Sequence, residues 1–129
     1  MKILHLEDDS FDAELVECTL AAEIPHCTIV AAVTRAEFLA HLTTEPPDLI
    51  LSDSSVPAFS GLEALALTRE SAPQIPFIFF SGMRDEERAL AAARAGAYDY
   101  VVKDDLARLP AVVRRAFDES IQRRDRKAD

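Results

Sequence analysis

The sequence has few of the residues that disulfide-linked, phosphate-cradling or nucleic-acid-binding proteins need. It contains three glycines, two cysteines and 14 Lys and Arg residues against 23 Asp and Glu residues, for a formal net charge of -9. Three separated glycines cannot form a glycine-rich phosphate loop, so a nucleotide-binding module is not expected. The acidic balance argues against binding nucleic acid or an anionic membrane, because both are bound through basic patches.

The cysteines and the N-terminus exclude further classes. Cys18 and Cys27 show neither metal-ligand spacing nor the pattern of a disulfide framework, which favours a reduced, cytoplasmic protein. Only four residues, Ile3 to Leu6, separate Lys2 from the first acids, so neither a signal peptide nor a membrane span is expected. At 129 residues the chain is long enough for one globular domain, residues 1–129.

Short apolar runs alternate with amphipathic stretches along the whole chain. This alternation is typical of a parallel sheet with crossover helices, so it predicts an α/β fold with five strand–helix repeats. The predicted strands are Lys2–Leu6, Cys27–Ala32, Leu49–Ser52, Phe77–Phe80 and Tyr98–Val102. The predicted helices are Ser10–Ala22, a second one from Thr34, Ser60–Ser71, Asp85–Ala95 and Asp105–Arg124, with residues 125–129 as a frayed tail.

Local signals support these helices. Thr34 with Glu37, and Ser60 with Glu63, match the capping box of a helix N-terminus. In the first helix, one apolar stripe at helical spacing is expected to pack on the sheet: Phe11, Leu15, Cys18 and Ala22. His5, within the first strand, is expected to be a hydrogen-bonded core histidine.

Polar side chains follow four of the predicted strands. They are Glu7 and Asp8 after the first strand, Asp53 after the third, Ser81 after the fourth and Lys103 after the fifth. The carboxyl ends of parallel strands meet at one edge of the sheet, where open α/β sheets bind ligands. The sequence therefore predicts a functional site at this edge.

The chemistry of this set suits phosphoryl transfer. A carboxylate such as Asp53 can act as a phosphoryl nucleophile if nearby charge holds the phosphate oxygens. Asp8 and Asp53, with Glu7 acting through water, offer the oxygen ligands that Mg²⁺ prefers. Lys103 could supply a positive charge, and the Ser81 hydroxyl a hydrogen bond, to phosphate oxygens.

These residues resemble the bacterial response regulator receiver domain, and the resemblance covers essentially the whole chain. The motifs that carry it are the acidic cluster Glu7-Asp8-Asp9, Asp53, Pro57 and Gly61 four and eight residues later, Ser81-Gly82, and Tyr100 three residues before Lys103. The resemblance implies a flavodoxin-like, doubly wound (βα)5 sandwich with parallel strands in the order 2-1-3-4-5.

The resemblance also implies a function for the site. Asp53 would accept a phosphoryl group from a sensor histidine kinase or a phosphotransfer protein, so the chain would be a phosphoacceptor in a phosphorelay rather than an enzyme. Mg²⁺ would be bound by Asp8, Asp53 and the backbone carbonyl of Ser55, with Glu7 acting through water. Lys103 and Ser81 would contact the phosphoryl group.

The same resemblance implies a switch. Ser81 would turn toward the phosphoryl group and Tyr100 would move inward behind it, altering a face formed by the fourth helix, fifth strand and fifth helix. A downstream protein would bind this face, and a homodimer is also open. A phosphoryl group adds a charge of about -2 and three acceptors, so it favours the loop arrangement that presents Ser81 and Lys103.

Two local alternatives stay open. Glu7 and Asp8 are the expected metal pair, and Asp9 would then begin the following loop or cap the first helix; a metal pair of Asp8 and Asp9 is the alternative. Asp104 follows Lys103 where the family commonly has proline, often after a cis bond. A trans bond is expected here, because a non-proline cis peptide costs about 2.5 to 4 kcal/mol.

Two rival functions also stay open. A phosphohydrolase of the haloacid-dehalogenase type uses a similar nucleophile but needs a second aspartate two residues later, where this chain has Ser55. A receiver that serves as an unphosphorylated docking module is the other rival. The chain could act alone through protein contacts or be one domain of a longer protein.

Overall fold

The chain forms a five-stranded parallel sheet with strand order β2-β1-β3-β4-β5, flanked by helices. A computed structural model describes residues 1–54, 56, 59–82 and 84–128, the last three as backbone only. The strands are β1 Lys2–Leu6, β2 Thr28–Ala32, β3 Leu49–Ser52, β4 Phe77–Ser81 and β5 Asp99–Val102. The helices are α1 Ser10–Glu23, α2 Arg35–Thr44, α3 Gly61–Ser71, α4 Glu86–Arg94 and α5 Leu109–Ala128, with a 3-10 helix at Lys103–Arg108. The predicted doubly wound fold and strand order are confirmed.

The predicted starts of the second and third helices are confirmed by their caps. Thr34 and Glu37 form a reciprocal capping box, in which each side chain accepts a hydrogen bond from the other residue's backbone N–H. The Ser60 side chain accepts a hydrogen bond from the Glu63 N–H at 3.2 Å. Just after the C-terminal end of α4, Gly96 has φ +102°, the left-handed conformation that glycine adopts without steric cost.

The central strands β1, β3 and β4 are buried on both faces, which explains why they are largely apolar without alternation. One face packs Leu4, Leu6 and Ile50 against α2, α3 and α4. The other face packs Ile3 and Leu51 against α1 and α5. The layers thus hold β1 and β3 rigidly, so the residues at their carboxyl ends are fixed relative to one another.

The prediction of which side of α1 packs on the sheet is wrong. Its four members, Phe11, Leu15, Cys18 and Ala22, face solvent, and Phe11 is 70% exposed. The buried side chains of α1 are Val16 and Leu20. Asp12 begins this second stripe at helical spacing. The first position of this stripe is polar because it lies beside the functional edge. With Asp12 there, the stripe does not read as continuously apolar in the sequence, so the sequence prediction favoured the other stripe.

The last helix also differs from its predicted range of 105–124. The chain first forms the 3-10 helix Lys103–Arg108, and α5 then runs from Leu109 to Ala128. Pro110 explains the late start, because proline lacks a backbone N–H and fits an α-helix best in its first turn. The helix extends past the predicted end at Arg124, and Asp129 lies outside the described residues. The Lys103–Asp104 peptide bond is trans, as expected.

The sequence predicted neither a disulfide framework nor a membrane span. Cys18 is exposed and Cys27 is half-buried, and both are free thiols. Among the described residues, no helix combines the length and the apolar character that crossing a membrane requires.

His5 is buried, but the prediction that it is hydrogen-bonded is wrong at one nitrogen. Its Nε2 has no hydrogen-bond partner among the described residues, and the residue is 2% exposed. Burial, together with the nearby positive charge of Lys103, lowers the pKa of His5 from 6.5 to about 4. His5 is therefore neutral in the folded protein at pH 7.

Replacing His5 by leucine is expected to make the protein more resistant to acid. Between pH 6.5 and 4 the unfolded chain binds a proton at His5 that the folded chain does not, so acid favours unfolding. The free energy of unfolding of the wild type should fall by about 2.5 kcal/mol more than that of His5→Leu between pH 7.5 and 4.5. Urea titrations of both proteins across this range measure the difference, and parallel stability curves would contradict it.

Candidate functional site

The functional edge is formed by the aligned carboxyl ends of β1, β3, β4 and β5. Leu6 pairs with Ser52 across β1 and β3, and Ser81 pairs with Val102 across β4 and β5. The Asp53 N–H donates a hydrogen bond to the Leu6 carbonyl at 3.0 Å, so the sheet bonding continues one residue past β3. This bond places the Asp53 side chain beside the acids that follow β1.

Lys103 lies among three carboxylates at this edge. Its Nζ donates to Glu7 Oε1 and to Asp12 Oδ2, both at 2.7 Å, and lies 3.4 Å from Asp53 Oδ2. The Glu7 side chain is 1% exposed, that of Asp53 14% and that of Lys103 17%. The predicted convergence of Glu7, Asp53 and Lys103 is therefore present.

Burial and charge act against each other in this cluster. Burial raises the pKa of Glu7, and the hydrogen bond from Lys103 opposes that rise. Burial alone would lower the pKa of Lys103. Hydrogen bonds to Asp12 and Glu7 and the charge of Asp53 outweigh it, so the pKa of Lys103 lies above its ordinary value. Lys103 is a permanent positive charge that neutralises part of a strongly acidic site.

The donor set fits a divalent cation. Carboxylate oxygens of Glu7, Asp8 and Asp53 lie within 4.8 Å of one another. Asp8 is exposed, whereas Glu7 is buried, so one side of the group faces solvent. Carboxylates with access to water are the ligands that Mg²⁺ uses, since it binds few protein oxygens and keeps several waters. The predicted carbonyl ligand at Ser55 lies outside the described residues.

Asp9 caps α1. Its side chain accepts a hydrogen bond from the Asp12 N–H at 3.0 Å, and its own N–H donates to Glu7 Oε2 at 3.2 Å. The second bond also holds the Glu7 carboxylate in place. Of the two alternatives that the sequence left open for Asp9, this geometry favours the capping one.

Ser81 contacts a residue that the sequence did not single out. Its Oγ lies 2.8 Å from the Oγ of Ser54, and Arg88 Nη1 donates to the same Ser54 oxygen at 3.4 Å. Ser81 is 2% exposed. A partly buried hydroxyl pair therefore links the ends of β3 and β4 next to Asp53.

Tyr100 lies behind this pair. It is half-buried, and its ring centroid is 5.9 Å from that of Phe79. The ring borders a cavity of about 220 Å³ that is also lined by Ser54, Leu62, Phe79, Arg88 and Ala92. The cavity leaves space for a side chain to move between the surface of α4 and the functional edge.

Gly61 allows α3 to start close against the site. A Cβ there would lie 2.5 Å from Phe79 Cε1 and 2.7 Å from the Asp53 carbonyl oxygen. Contacts this short cannot be accommodated without moving the backbone at Asp53. Pro57, the other predicted motif residue of this loop, lies outside the described residues.

Asp12 is another site residue that the sequence prediction missed, besides Ser54. It lies on the first turn of α1 and reaches Lys103 across 91 positions of sequence. A signal did exist, because Asp12 precedes the buried Val16 and Leu20 by four and eight residues. Such spacing places it on the buried side of the helix, at the end nearest the site.

Comparison with known proteins agrees with this architecture. A sequence model described as the response regulator receiver domain matches residues 3–114. The DNA-binding transcriptional regulator NtrC of Klebsiella pneumoniae is 37% identical over 82 residues, which are 63% of this chain and 18% of that protein. The response regulator protein PilR of Pseudomonas aeruginosa is 33% identical over 117 residues, covering 90% of this chain and 26% of that protein.

A solved structure extends the comparison to the fold. The CheY-like response regulator receiver domain protein of Methanospirillum hungatei superposes with a TM-score of 0.84 at 25% identity, covering 95% of this chain and 97% of that one. By contrast, the chain spans only about a fifth to a quarter of the NtrC and PilR sequences.

Proposed function

Since the chain belongs to the response regulator receiver domain family, which serves two-component phosphorelay signalling, we propose that Asp53 is its phosphoacceptor. The observation that carries this proposal is the position of Asp53. Its carboxylate lies 3.4 Å from the Lys103 ammonium and within 4.8 Å of oxygens of both Glu7 and Asp8. A carboxylate in such a setting has a cation for the incoming phosphate and neighbours that can hold a metal.

In the proposed reaction, an Asp53 carboxylate oxygen attacks phosphorus of a phosphohistidine on a sensor histidine kinase or phosphotransfer protein. The new P–O bond replaces the P–N bond, and the imidazole leaves and takes up a proton. Lys103 stabilises the charge on the phosphoryl oxygens. Asp8, Asp53 and the Ser55 carbonyl, with Glu7 through water, would hold Mg²⁺, which neutralises phosphate charge when bound. The chain is thus a phosphoacceptor and not a classical enzyme.

The phosphoryl group would also change the Ser54–Ser81 contact. A phosphoryl oxygen is a stronger acceptor than a serine hydroxyl, so Ser81 would turn from Ser54 toward Asp53. Tyr100 would then move into the adjoining cavity. This changes the face formed by α4, β5 and α5, where a downstream protein would bind; a second copy of the chain is an alternative occupant.

We place the protein in the cytoplasm, with residues 1–129 forming one receiver domain. The proposed donor is a histidine-phosphorylated signalling protein, and both free thiols suit a reducing compartment. DNA binding by NtrC is not transferred to this chain, because the matched region is 18% of that protein.

Labelling with radioactive acetyl phosphate tests the function. With Mg²⁺ the protein should acquire one acid-stable phosphoryl group that hydroxylamine removes, as expected of an acyl phosphate. Excess EDTA should suppress the labelling, because Lys103 is then the one positive charge among the described residues of this cluster to offset the charges of Glu7, Asp8 and Asp53 during attack. Labelling that is unchanged in EDTA would contradict the proposed site.

The same preparation separates the rival functions. A haloacid-dehalogenase-type hydrolase would release phosphate from many equivalents of a phosphate ester, and a docking receiver would acquire no label. The comparisons with known proteins support neither rival.

A further inference from the structure

Among the described residues, the Asp12 side chain is hydrogen-bonded to Lys103, and it comes from a different element than the other carboxylates around that lysine. Its Oδ2 accepts a hydrogen bond from Lys103 Nζ at 2.7 Å, as short as the bond from the same atom to Glu7. The Asp12 side chain is 27% exposed, so a charge-assisted bond there is partly shielded from water. The bond joins the first turn of α1 to the end of β5.

Asp12 is separate from the carboxylates that could hold a cation. Among the described residues, the oxygen group at this edge comprises Glu7, Asp8 and Asp53 and does not include Asp12. The Asp12 carboxylate therefore pairs with the Lys103 ammonium and does not belong to this candidate metal site.

The geometry around Lys103 points to a positioning role. An ammonium has three N–H donors, and here two of them make 2.7 Å bonds, to Glu7 and Asp12. The third faces Asp53 at the longer distance of 3.4 Å. We propose that Asp12 is a positioning residue that, with Glu7, fixes the Lys103 ammonium so that its third donor meets the phosphoryl group on Asp53. This inference rests on the proposed function.

The flexible lysine chain is the reason why this anchor matters. Lysine has four rotatable methylene units and a compact charge, so its ammonium can adopt many positions. With Glu7 as the only short partner, the ammonium can pivot, and part of its attraction for the developing phosphoryl charge is lost. With Asp12 as well, it is held from both the β1 side and the α1 side.

The rival explanation is a purely structural one. Asp12 lies in the first turn of α1, where an acid stabilises a helix through its dipole. In that role, the effect of substituting Asp12 would be on thermal stability and would be the same with or without Lys103. In the positioning role, the effect on the labelling rate requires Lys103, so the coupling between the two residues distinguishes the explanations.

A double-mutant cycle measures this coupling. The maximal rate of labelling by acetyl phosphate at saturating Mg²⁺ is compared for wild type, Asp12→Asn, Lys103→Met and the double variant, with thermal melting as a check on folding. Glu14→Gln is the matched control, since it removes one exposed negative charge from the same helix. Asp12→Ser serves as a second variant if Asp12→Asn melts below the assay temperature.

Asp12→Asn should lower the maximal rate about tenfold in the wild-type background, the effect of one charge-assisted hydrogen bond. It should lower the rate less than twofold once Lys103 is methionine, and Glu14→Gln should leave it unchanged. Equal losses in both backgrounds, or no loss, would overturn the positioning role while leaving the phosphoacceptor intact. Failure of the wild type to label would instead reject the proposed function and this inference with it.

Discussion

Asp53→Asn is expected to abolish phosphoryl labelling altogether, both from acetyl phosphate and from a phosphohistidine donor. The amide has the size of the carboxylate but lacks a nucleophilic anionic oxygen, so no acyl phosphate can form. The change also removes one of the three acids that could hold Mg²⁺. Labelling followed by gel electrophoresis and mass spectrometry measures the effect.

Folding should survive this substitution. Asp53 is the most distant of the three carboxylates around Lys103, at 3.4 Å, so both 2.7 Å bonds remain. The Asp53 N–H and carbonyl belong to the backbone and are unchanged. Thermal melting should therefore show a folded protein, and the loss of label can be assigned to chemistry.

Asp9→Asn is the matched control for Asp53→Asn. It also removes one negative charge from this edge, but asparagine is as good a helix cap as aspartate. It should therefore label at nearly the wild-type rate. Full labelling of Asp53→Asn would refute the phosphoacceptor assignment, and loss of labelling in Asp9→Asn would revive Asp9 as a member of the metal pair.

The parts of the molecule that the sequence predicted correctly depend on local signals. The capping box at Thr34 and the side-chain cap at Ser60 involve residues three positions apart, so local sequence is enough to predict them. Asp53 and Lys103 could be predicted because each directly follows an apolar run that forms a strand. Once the strands are parallel, such residues must meet at one edge.

The parts that the sequence missed depend on how elements pack. In α1 two apolar stripes were available, and only contact with the sheet selects Val16 and Leu20 over the stripe of Phe11. The contacts Asp12–Lys103 and Ser54–Ser81 join residues 91 and 27 positions apart. Neither pair shows a spacing pattern in the sequence, because the distance between two helix or strand ends is set by the tertiary fold.

Lys103→Met should lower the maximal rate of labelling about 100-fold. Methionine keeps a similar length and apolar stem but removes the charge that lies 3.4 Å from Asp53, and losing one preorganised charge at a developing anion has effects of this order. Lys103→Arg is the charge-conserving control. It should recover part of the rate, since a planar guanidinium carries the charge but cannot place a single donor as an ammonium does.

The same substitution should change stability in a metal-dependent way, which no simple loss of packing predicts. Without Lys103, the buried Glu7 carboxylate loses its 2.7 Å partner, and removing one member of a buried ion pair costs about 3 kcal/mol or more. Mg²⁺ supplies the missing positive charge, so Lys103→Met should bind it more tightly than the wild type and recover stability on binding. Urea titrations in EDTA and in Mg²⁺, with calorimetric titration of Mg²⁺, measure both effects. Weaker Mg²⁺ binding, or the same stability loss in both media, would mean that Lys103 does not neutralise this carboxylate cluster.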